Sequence, residues 1–530
     1  MLGSQLYGSW EISFVSGRDK PDGAGKATSR ASAVYANEKS DSPVVPEKLP
    51  NNGPGPAEVM EERGLAKGNS EQLSAPRTQS RISALSGLPA VRQAARQDRR
   101  VKFTSLLHHV TVELLRESFY NLKRDAACGL DGISWREYDQ DLQEKLKTLH
   151  DKVHSGRYRA KPVRRVFVPK ADGSERPLGV TALEDKIVQT AVVQVLNAIY
   201  EQNFLGLSYG FRPGRGQHDA LDALSVGIQN SRVRWILDVD IRAFFDTIDH
   251  EWMMCFLQHR IADRRVLGLI ARWLRTGVIE NGKRIPAKQG TPQGAPISPL
   301  LANIYLHYVM DLWIRQWRGR TAQGEMIAVR YADDSVLGFE KREDAWSFRH
   351  ALEARLAQFN LTLHPEKTRL LRFGWFAAED CKKRGEGKPE TFDFLGLTHF
   401  CSQTKNGMFV VGRTTISKRM RATLKEIRAQ LHKRRHEPVP VIGQWLSRLF
   451  RGYCNYYHVP GNTRRLDAFR REIIGAWRHA LKRRSQRHRL NWERLTALAR
   501  LFIPYPRELP MHPHPITRFG VKTQGRSRMR

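Results

Sequence analysis

The spacing of apolar residues divides this chain into a polar lead, a mixed middle and a basic, helical end. Between Phe103 and Leu122 apolar residues recur at three- and four-residue steps (Leu106, Leu107, Val110, Leu114, Leu115, Phe119), which predicts a helix. Val166-Phe167-Val168, the stretch Ala171-Asp172-Gly173-Ser174 and then Pro177-Leu178-Gly179-Val180 predict two strands around a tight turn. Thr181 to Tyr200 reads as a helix with one apolar face, and Trp235-Ile236-Leu237 as a buried strand. A single apolar stripe (Leu300, Leu301, Ile304, Tyr305, Tyr308, Val309, Leu312) predicts one long helix over Pro299–Trp317. Met326-Ile327-Ala328-Val329 and Val336-Leu337-Gly338-Phe339 predict two buried strands joined by a tight turn. A helix over Phe348–Leu361 and a strand over Phe392–Phe400 follow. After about Ser417 the pattern is helical, with Trp445, Leu446, Leu449 and Phe450 on its apolar face. Helices and strands in this order predict an α+β fold.

The short polar break between the Met326 and Val336 runs holds Asp333 and Asp334 side by side. Adjacent carboxylates repel each other and gain nothing from packing. A divalent cation such as Mg²⁺, which prefers hard oxygen ligands, removes that penalty. A second acidic group follows another apolar strand, at Asp238 and Asp240, with Asp246 and Asp249 beyond it. Two strands delivering carboxylates to one place can hold two Mg²⁺ ions, the arrangement that stabilises phosphoryl transfer. The plainer alternative, capping of helices and turns, suits Asp246 and Asp249, with Asp249 the expected N-cap of a helix beginning at His250.

Charge adds a partner. The 530 residues carry a formal net charge of +34, and +24 of it lies from Cys401 to Arg530, where 30 Lys and Arg face 6 Asp and Glu. A surface charged only for solubility would not be so uneven, and a polyanion such as nucleic acid explains it. The run Lys482-Arg483-Arg484-Ser485-Gln486-Arg487-His488-Arg489 suits a helix that neutralises phosphates. Five scattered cysteines form no C-x-x-C pair, which argues against a zinc site or a disulfide framework. No apolar stretch is long enough to span a bilayer, and the first residues do not read as a signal peptide, so no membrane partner is expected. Residues 1–81 are rich in Gly, Ser, Pro and charge and are expected to be disordered.

Eight segments in order resemble the reverse transcriptases encoded by bacterial and organellar group II introns. They are A-A-C-G-L-D-G-I-S (126–134), V-P-K-A-D-G-S-E-R-P-L-G (168–179), S-Y-G-F-R-P-G-R (208–215), D-V-D-I-R-A-F-F-D (238–246), G-T-P-Q-G-A-P-I-S-P-L-L-A-N (290–303), R-Y-A-D-D (330–334), L-H-P-E-K-T (363–368) and F-D-F-L-G-L (392–397). The resemblance implies a right-hand polymerase, with fingers and palm over 82–400, a helical thumb or maturase (X) domain over 401–500 and a basic, Pro-containing tail over 501–530. It makes Asp240, Asp333 and Asp334 the catalytic carboxylates and ligands of two Mg²⁺ ions, with the Ile241 carbonyl as a further oxygen and Asp238 a neighbour without a metal role. It assigns Arg164, Lys170 and Arg176 to the dNTP triphosphate, although a basic hairpin is otherwise an ordinary solvated edge. It places Phe245 beneath the sugar, where its bulk would exclude a 2′-hydroxyl, and Gln293 beside the incoming nucleotide.

Arg451, Lys482, Arg483, Arg484, Arg487 and Arg489 are the expected RNA contacts. Arg451 opens R-G-Y-C-N-Y-Y, whose tyrosines are expected to be partly core. The implied partners are intron RNA, an RNA template with a DNA primer or target, and dNTPs. The implied activities are reverse transcription and assistance of intron splicing and mobility, in a bacterial, nucleoid-associated setting. Two alternatives stay open: an intron-independent reverse transcriptase used in defence or repair, and a maturase that only assists splicing. The lack of paired cysteines leads us to expect no C-terminal H-N-H endonuclease.

Overall fold

The computed structural model describes residues 87–169, 175–280, 282–484 and 491–515. The expectation for residues 1–81, and the end of the basic tail, lie outside them. Among the described residues the architecture is α+β, with helices packed around three small sheets.

The strands are β1 (Val163–Pro169), β2 (Glu175–Val180), β3 (Trp235–Val239), β4 (Val278–Glu280), β5 (Lys283–Ile285), β6 (Met326–Tyr331), β7 (Asp334–Phe339), β8 (Arg369–Arg372), β9 (Phe392–Phe394), β10 (Leu397–Gln403) and β11 (Phe409–Thr415). They pair in the orders β2-β1-β4-β5, β6-β7-β3-β8 and β11-β10-β9. The two strands predicted around Ala171–Ser174 pair antiparallel, with Phe167 opposite Pro177 and Val168 opposite Arg176, and the predicted turn itself lies outside the described residues. The apolar hairpin β6–β7 is present and turns between Tyr331 and Asp334. Every residue of β6 is buried because helices cover the faces of that sheet.

Three apolar cores result. One runs from Leu88 to Leu361, and a second joins the Gln217–Asn230 helix to β6 and to the β9–β11 sheet. The third is built from the helices Ser417–Lys433, Val439–Tyr457, Thr463–Lys482 and Trp492–Phe502, around Trp477, Phe450 and Phe469. Among the described residues no helix is long and apolar enough to cross a membrane.

Several elements differ from the sequence-based expectation. The Phe103–Leu122 helix is confined to Val112–Tyr120. Upstream, Leu107–His109 form only a single 3₁₀ turn, whose start is held by the Asp263 carboxylate accepting from the Leu106 and Leu107 amides at 2.7 and 3.0 Å. Thr111 then caps the helix start by accepting from the Leu114 amide. The Phe348–Leu361 helix begins earlier, at Arg342, and ends at Ala357, shortly before Asn360 turns left-handed.

The long helix after Pro299 is broken into Ser298–Leu306 and Leu312–Arg320 by a π-helical turn over His307–Asp311. Phe392–Phe400 is a hairpin, because Leu395 and Gly396 both take positive φ and reverse the chain between β9 and β10. The basic helix expected over 482–489 ends at Lys482, and residues 485–490 lie outside the described ones.

Candidate active site

The apolar residues of β3 draw it into the middle of the β6-β7-β3-β8 sheet, between β7 and β8. Its register pairs Val239 with Ser335, so Asp240, the next residue, falls across from Asp334. The Asp240 carbonyl accepts from the His364 amide at 2.8 Å, and the Ile241–Leu363 bridge fixes the chain just beyond. Asp333 and Asp334 come from the β6–β7 turn, where Ala332 holds φ at 55°. Asp240, Asp333 and Asp334 thus meet at one end of the sheet, and Asp238 lies one pleat behind Asp240.

Their electrostatics are strained. The Asp334 carboxyl is pushed up to about 7, first by desolvation and then by Asp333, Asp240 and Asp238. Asp334 itself is exposed to solvent. Asp238 is pushed up to about 6, mainly by burial, with Arg369 opposing the shift and Asp240 and Asp393 adding to it. The Lys367 ammonium lies 2.9 Å from Asp240 Oδ2, and that hydrogen bond raises the lysine.

This donor set fits a hard divalent cation in its chemistry: three mutually repelling carboxylates with one lysine against them. As placed, no group of three His, Cys, Asp or Glu side chains among the described residues closes around an ion. Lys367 holds one oxygen that a cation would take, so it would have to give way. Lys367 was missed as a site residue in the sequence, although it stands in L-H-P-E-K-T. What brings it here is the short connection that pairs Leu363 with Ile241.

A second feature missed in the sequence supports the turn from beneath. Arg330, 1% exposed, donates to both oxygens of Asp311 at 2.7 and 2.6 Å. It also donates to Asn303 Oδ1 at 3.0 Å, to the Ala332 carbonyl at 2.8 Å and to Ser208 Oγ at 2.8 Å. The π-helical turn delivers Asp311 to this guanidinium. The signal available in the sequence was an aspartate within an otherwise apolar helical stripe.

Backbone hydrogen bonds link the segments that carry Gln293 and Phe245 to β2. Gly290 and Thr291 donate backbone hydrogen bonds to Ile248 and Phe245 at 2.7 and 2.8 Å, and the Gln293 carbonyl accepts from the Gly179 amide of β2. The β1–β2 hairpin, the Gln293 turn and Phe245 are therefore neighbours in one backbone network. Phe244 is buried and Phe245 half-buried, so one of the pair points inward, as the pattern required. Arg164 lies on β1, and its guanidinium donates to the Cys128 carbonyl at 2.8 Å. Arg176 lies on β2 opposite Val168. Lys170 lies outside the described residues.

Of the RNA-contact candidates, Arg451, Lys482 and Arg483 are exposed. Arg484 is partly buried and donates to the Glu437 carbonyl at 2.7 Å, so it has a structural contact that the sequence did not foretell. Arg487 and Arg489 lie outside the described residues. Tyr453 and Tyr457 are half-buried with ring centroids 4.4 Å apart, and Tyr456 donates to the Leu395 carbonyl at the β9–β10 turn.

Residues 168–399, which contain this site, match the family model described as reverse transcriptase (RNA-dependent DNA polymerase). This segment is therefore similar to reverse transcriptase domains, and the relatives of the chain include group II intron-encoded proteins. The chain is 37% identical over 200 residues to the group II intron-encoded protein LtrA of Lactococcus lactis, covering 37% of this chain and 33% of that protein. It is 36% identical over 239 residues to protein YkfC of Escherichia coli, covering 39% of this chain and 62% of that protein. Nuclear intron maturase 1, mitochondrial, of Arabidopsis thaliana is 30% identical over 121 residues, covering 23% of this chain and 16% of that protein. The chain thus spans less than two thirds of each of these curated relatives. The matched segment begins inside β1 and ends within β10, so the Asp240–Asp334 site and the whole β6-β7-β3-β8 sheet fall inside it.

Proposed function

We propose that the protein is an RNA-directed DNA polymerase that also binds intron RNA and assists its splicing and mobility. In this reading the β1–β2 hairpin belongs to the fingers, the β6-β7-β3-β8 sheet to the palm, and the helices from Ser417 onward to the thumb or maturase domain. The observation that carries it is the meeting of Asp240 with Asp333 and Asp334 at one end of the palm sheet, where the Asp334 carboxyl is pushed up to about 7.

The reaction joins a primer 3′-hydroxyl to the α-phosphate of a dNTP and releases pyrophosphate. Asp240, Asp333 and Asp334 would hold two Mg²⁺ ions, with the Ile241 carbonyl as a further oxygen. When bound, such ions make the hydroxyl a better nucleophile and neutralise charge on the leaving phosphates. The chain's own part is positioning. Arg164, Lys170 and Arg176 draw in the triphosphate, and Gln293 lies on the same backbone network as the sugar-facing Phe245. The Phe245 ring leaves no space for a 2′-hydroxyl. Arg330 holds the turn that carries Asp333.

The RNA-binding part rests on charge. A large folded RNA repels itself, and a region carrying +24 between Cys401 and Arg530 can screen it without chemistry of its own. The setting we propose is the bacterial cytoplasm, at the nucleoid. Two assays test the proposal. The purified chain should extend a DNA primer on an RNA template with dNTPs and Mg²⁺, and it should accelerate splicing of its intron RNA at low Mg²⁺. Extension without any effect on splicing would leave the polymerase alone. Splicing without extension would leave a maturase alone.

A further inference from the structure

Phe211 combines three features that ordinary packing does not explain together. Its φ is 56°, a left-handed conformation that bulky L-residues seldom adopt. Its side chain is 42% exposed. It also stands beside the Asp333–Asp334 turn, with its ring centroid 6.3 Å from that of Tyr331.

The segment around it is fixed on both sides. The Tyr209 amide donates to the Arg330 carbonyl and the Arg330 amide to the Leu207 carbonyl, both at 2.8 Å, so the segment is laced to the edge of β6. The Gly210 carbonyl accepts from Asn303 Nδ2 at 2.7 Å. Gly210 lies so close to the turn that a Cβ there would sit 2.4 Å from the Ala332 nitrogen. On the other side Arg212 is 3% exposed and donates to Glu201 and to the carbonyls of Leu205 and Ser208. The backbone is anchored before and after Phe211, and at Phe211 itself it turns outward. Glycine or asparagine would make that turn with less strain. The chain instead presents an aromatic ring to solvent next to the carboxylates.

We propose that Phe211 is a stacking platform for the primer–template duplex, its ring lying against a nucleobase face near the primer end. The proposal rests on the polymerase reading and adds a binding residue to it. The occupant follows from position and charge. A polymerase active centre must hold the end of a duplex, and a flat apolar ring at that spot meets the flat face that every base offers. The chain's net charge of +34 draws in the phosphates, while the ring supplies the neutral contact that charge cannot. The rival role for Phe211 is a lid packed on Tyr331.

The test uses the full chain with Phe211→Gly, Phe211→Leu and Phe211→Tyr. Thermal unfolding is measured alongside binding of an RNA-template/DNA-primer duplex by fluorescence anisotropy without dNTP, and KM for dNTP. Phe211→Gly should unfold no lower than wild type, since it relieves the left-handed backbone, yet bind the duplex about tenfold more weakly. Its KM for dNTP should stay within about twofold. Phe211→Tyr should bind like wild type, and Phe211→Leu, apolar but without a ring face, should bind like Phe211→Gly. Unchanged duplex binding by Phe211→Gly overturns the platform. So does a marked fall in its melting temperature that Phe211→Leu repairs, because the ring is then a packing element. A wild type that extends no primer while Phe211→Gly loses duplex binding contradicts the polymerase reading and still supports the platform.

Discussion

The Arg330–Asp311 pair allows fold stability to be separated from site geometry. Both side chains are essentially fully buried, and Asp311 accepts two of the five hydrogen bonds that Arg330 donates. Converting Asp311 to Asn leaves a buried guanidinium with no counter-charge. Breaking one side of such a pair costs about 3–5 kcal/mol, and the three surviving acceptors favour the lower end, ~3 kcal/mol. Replacing both partners with apolar residues of similar size, Arg330→Met with Asp311→Leu, removes the uncompensated charge but takes a donor from Asn303 Oδ1, the Ala332 carbonyl and Ser208 Oγ, so stability should return only in part. It should not return activity. The Ala332 carbonyl would lose the donor that holds the turn, and a displacement of about 1 Å at a reacting centre can cost ~100-fold in rate. The assay pairs urea unfolding with single-turnover primer extension at saturating dNTP. The reasoning fails if Asp311→Asn costs less than ~1 kcal/mol, or if the double variant recovers extension.

Three further outcomes follow from the same geometry. Phe245→Ala should open the space beneath the sugar and lower the ratio of dNTP to rNTP incorporation efficiency; an unchanged ratio would mean another residue guards the pocket. His399 is fully buried, and burial with the nearby Arg413 pushes its imidazole down to about 3. Its folded value is therefore below the ordinary 6.5, so its stabilising contribution is complete above pH 6.5 and fades as pH falls, by about 2 kcal/mol at pH 5. His399→Phe, which keeps a ring against Phe392, should weaken the acid sensitivity of urea unfolding between pH 7 and 5 by about that amount. Neutralising Arg451, Lys482 and Arg483 together should flatten the salt dependence of RNA binding, by up to about 0.7–0.9 in log–log slope for each phosphate that these side chains pair with. An unchanged slope would remove these exposed residues from the RNA surface.

The strands that build the site were legible because period and composition agree. The β6–β7 hairpin needs only two apolar runs and a polar break, and β3 an apolar run that ends in carboxylates. The Asp249 N-cap was legible for a local reason too, since its carboxylate accepts from the Glu251 and Trp252 amides nearby. What escaped was tertiary. The π-helical turn at His307–Asp311 leaves the apolar stripe almost unchanged, and only the partner of Asp311, 19 residues away, explains it. Lys367 meets Asp240 across 127 residues, and Asp222 is held by Arg413 and His512 across 191 and 290. No window of sequence contains both members of such pairs. The F-D-F-L-G segment misled because Leu395 carries a positive φ that leucine seldom takes, so the turn before Gly396 looked like continuing strand.

Whether the carboxylates delivered by β3 and by the β6–β7 turn run a DNA polymerase can be read from one experiment. Extension of a DNA primer on an RNA template with Mg²⁺ is measured for wild type, Asp240→Ala and Asp333→Ala, with duplex binding followed on the same preparations. The expected result is extension by wild type, none by either variant, and duplex binding retained by all three. Extension by Asp333→Ala or Asp240→Ala at near the wild-type rate would place the chemistry elsewhere and refute the site.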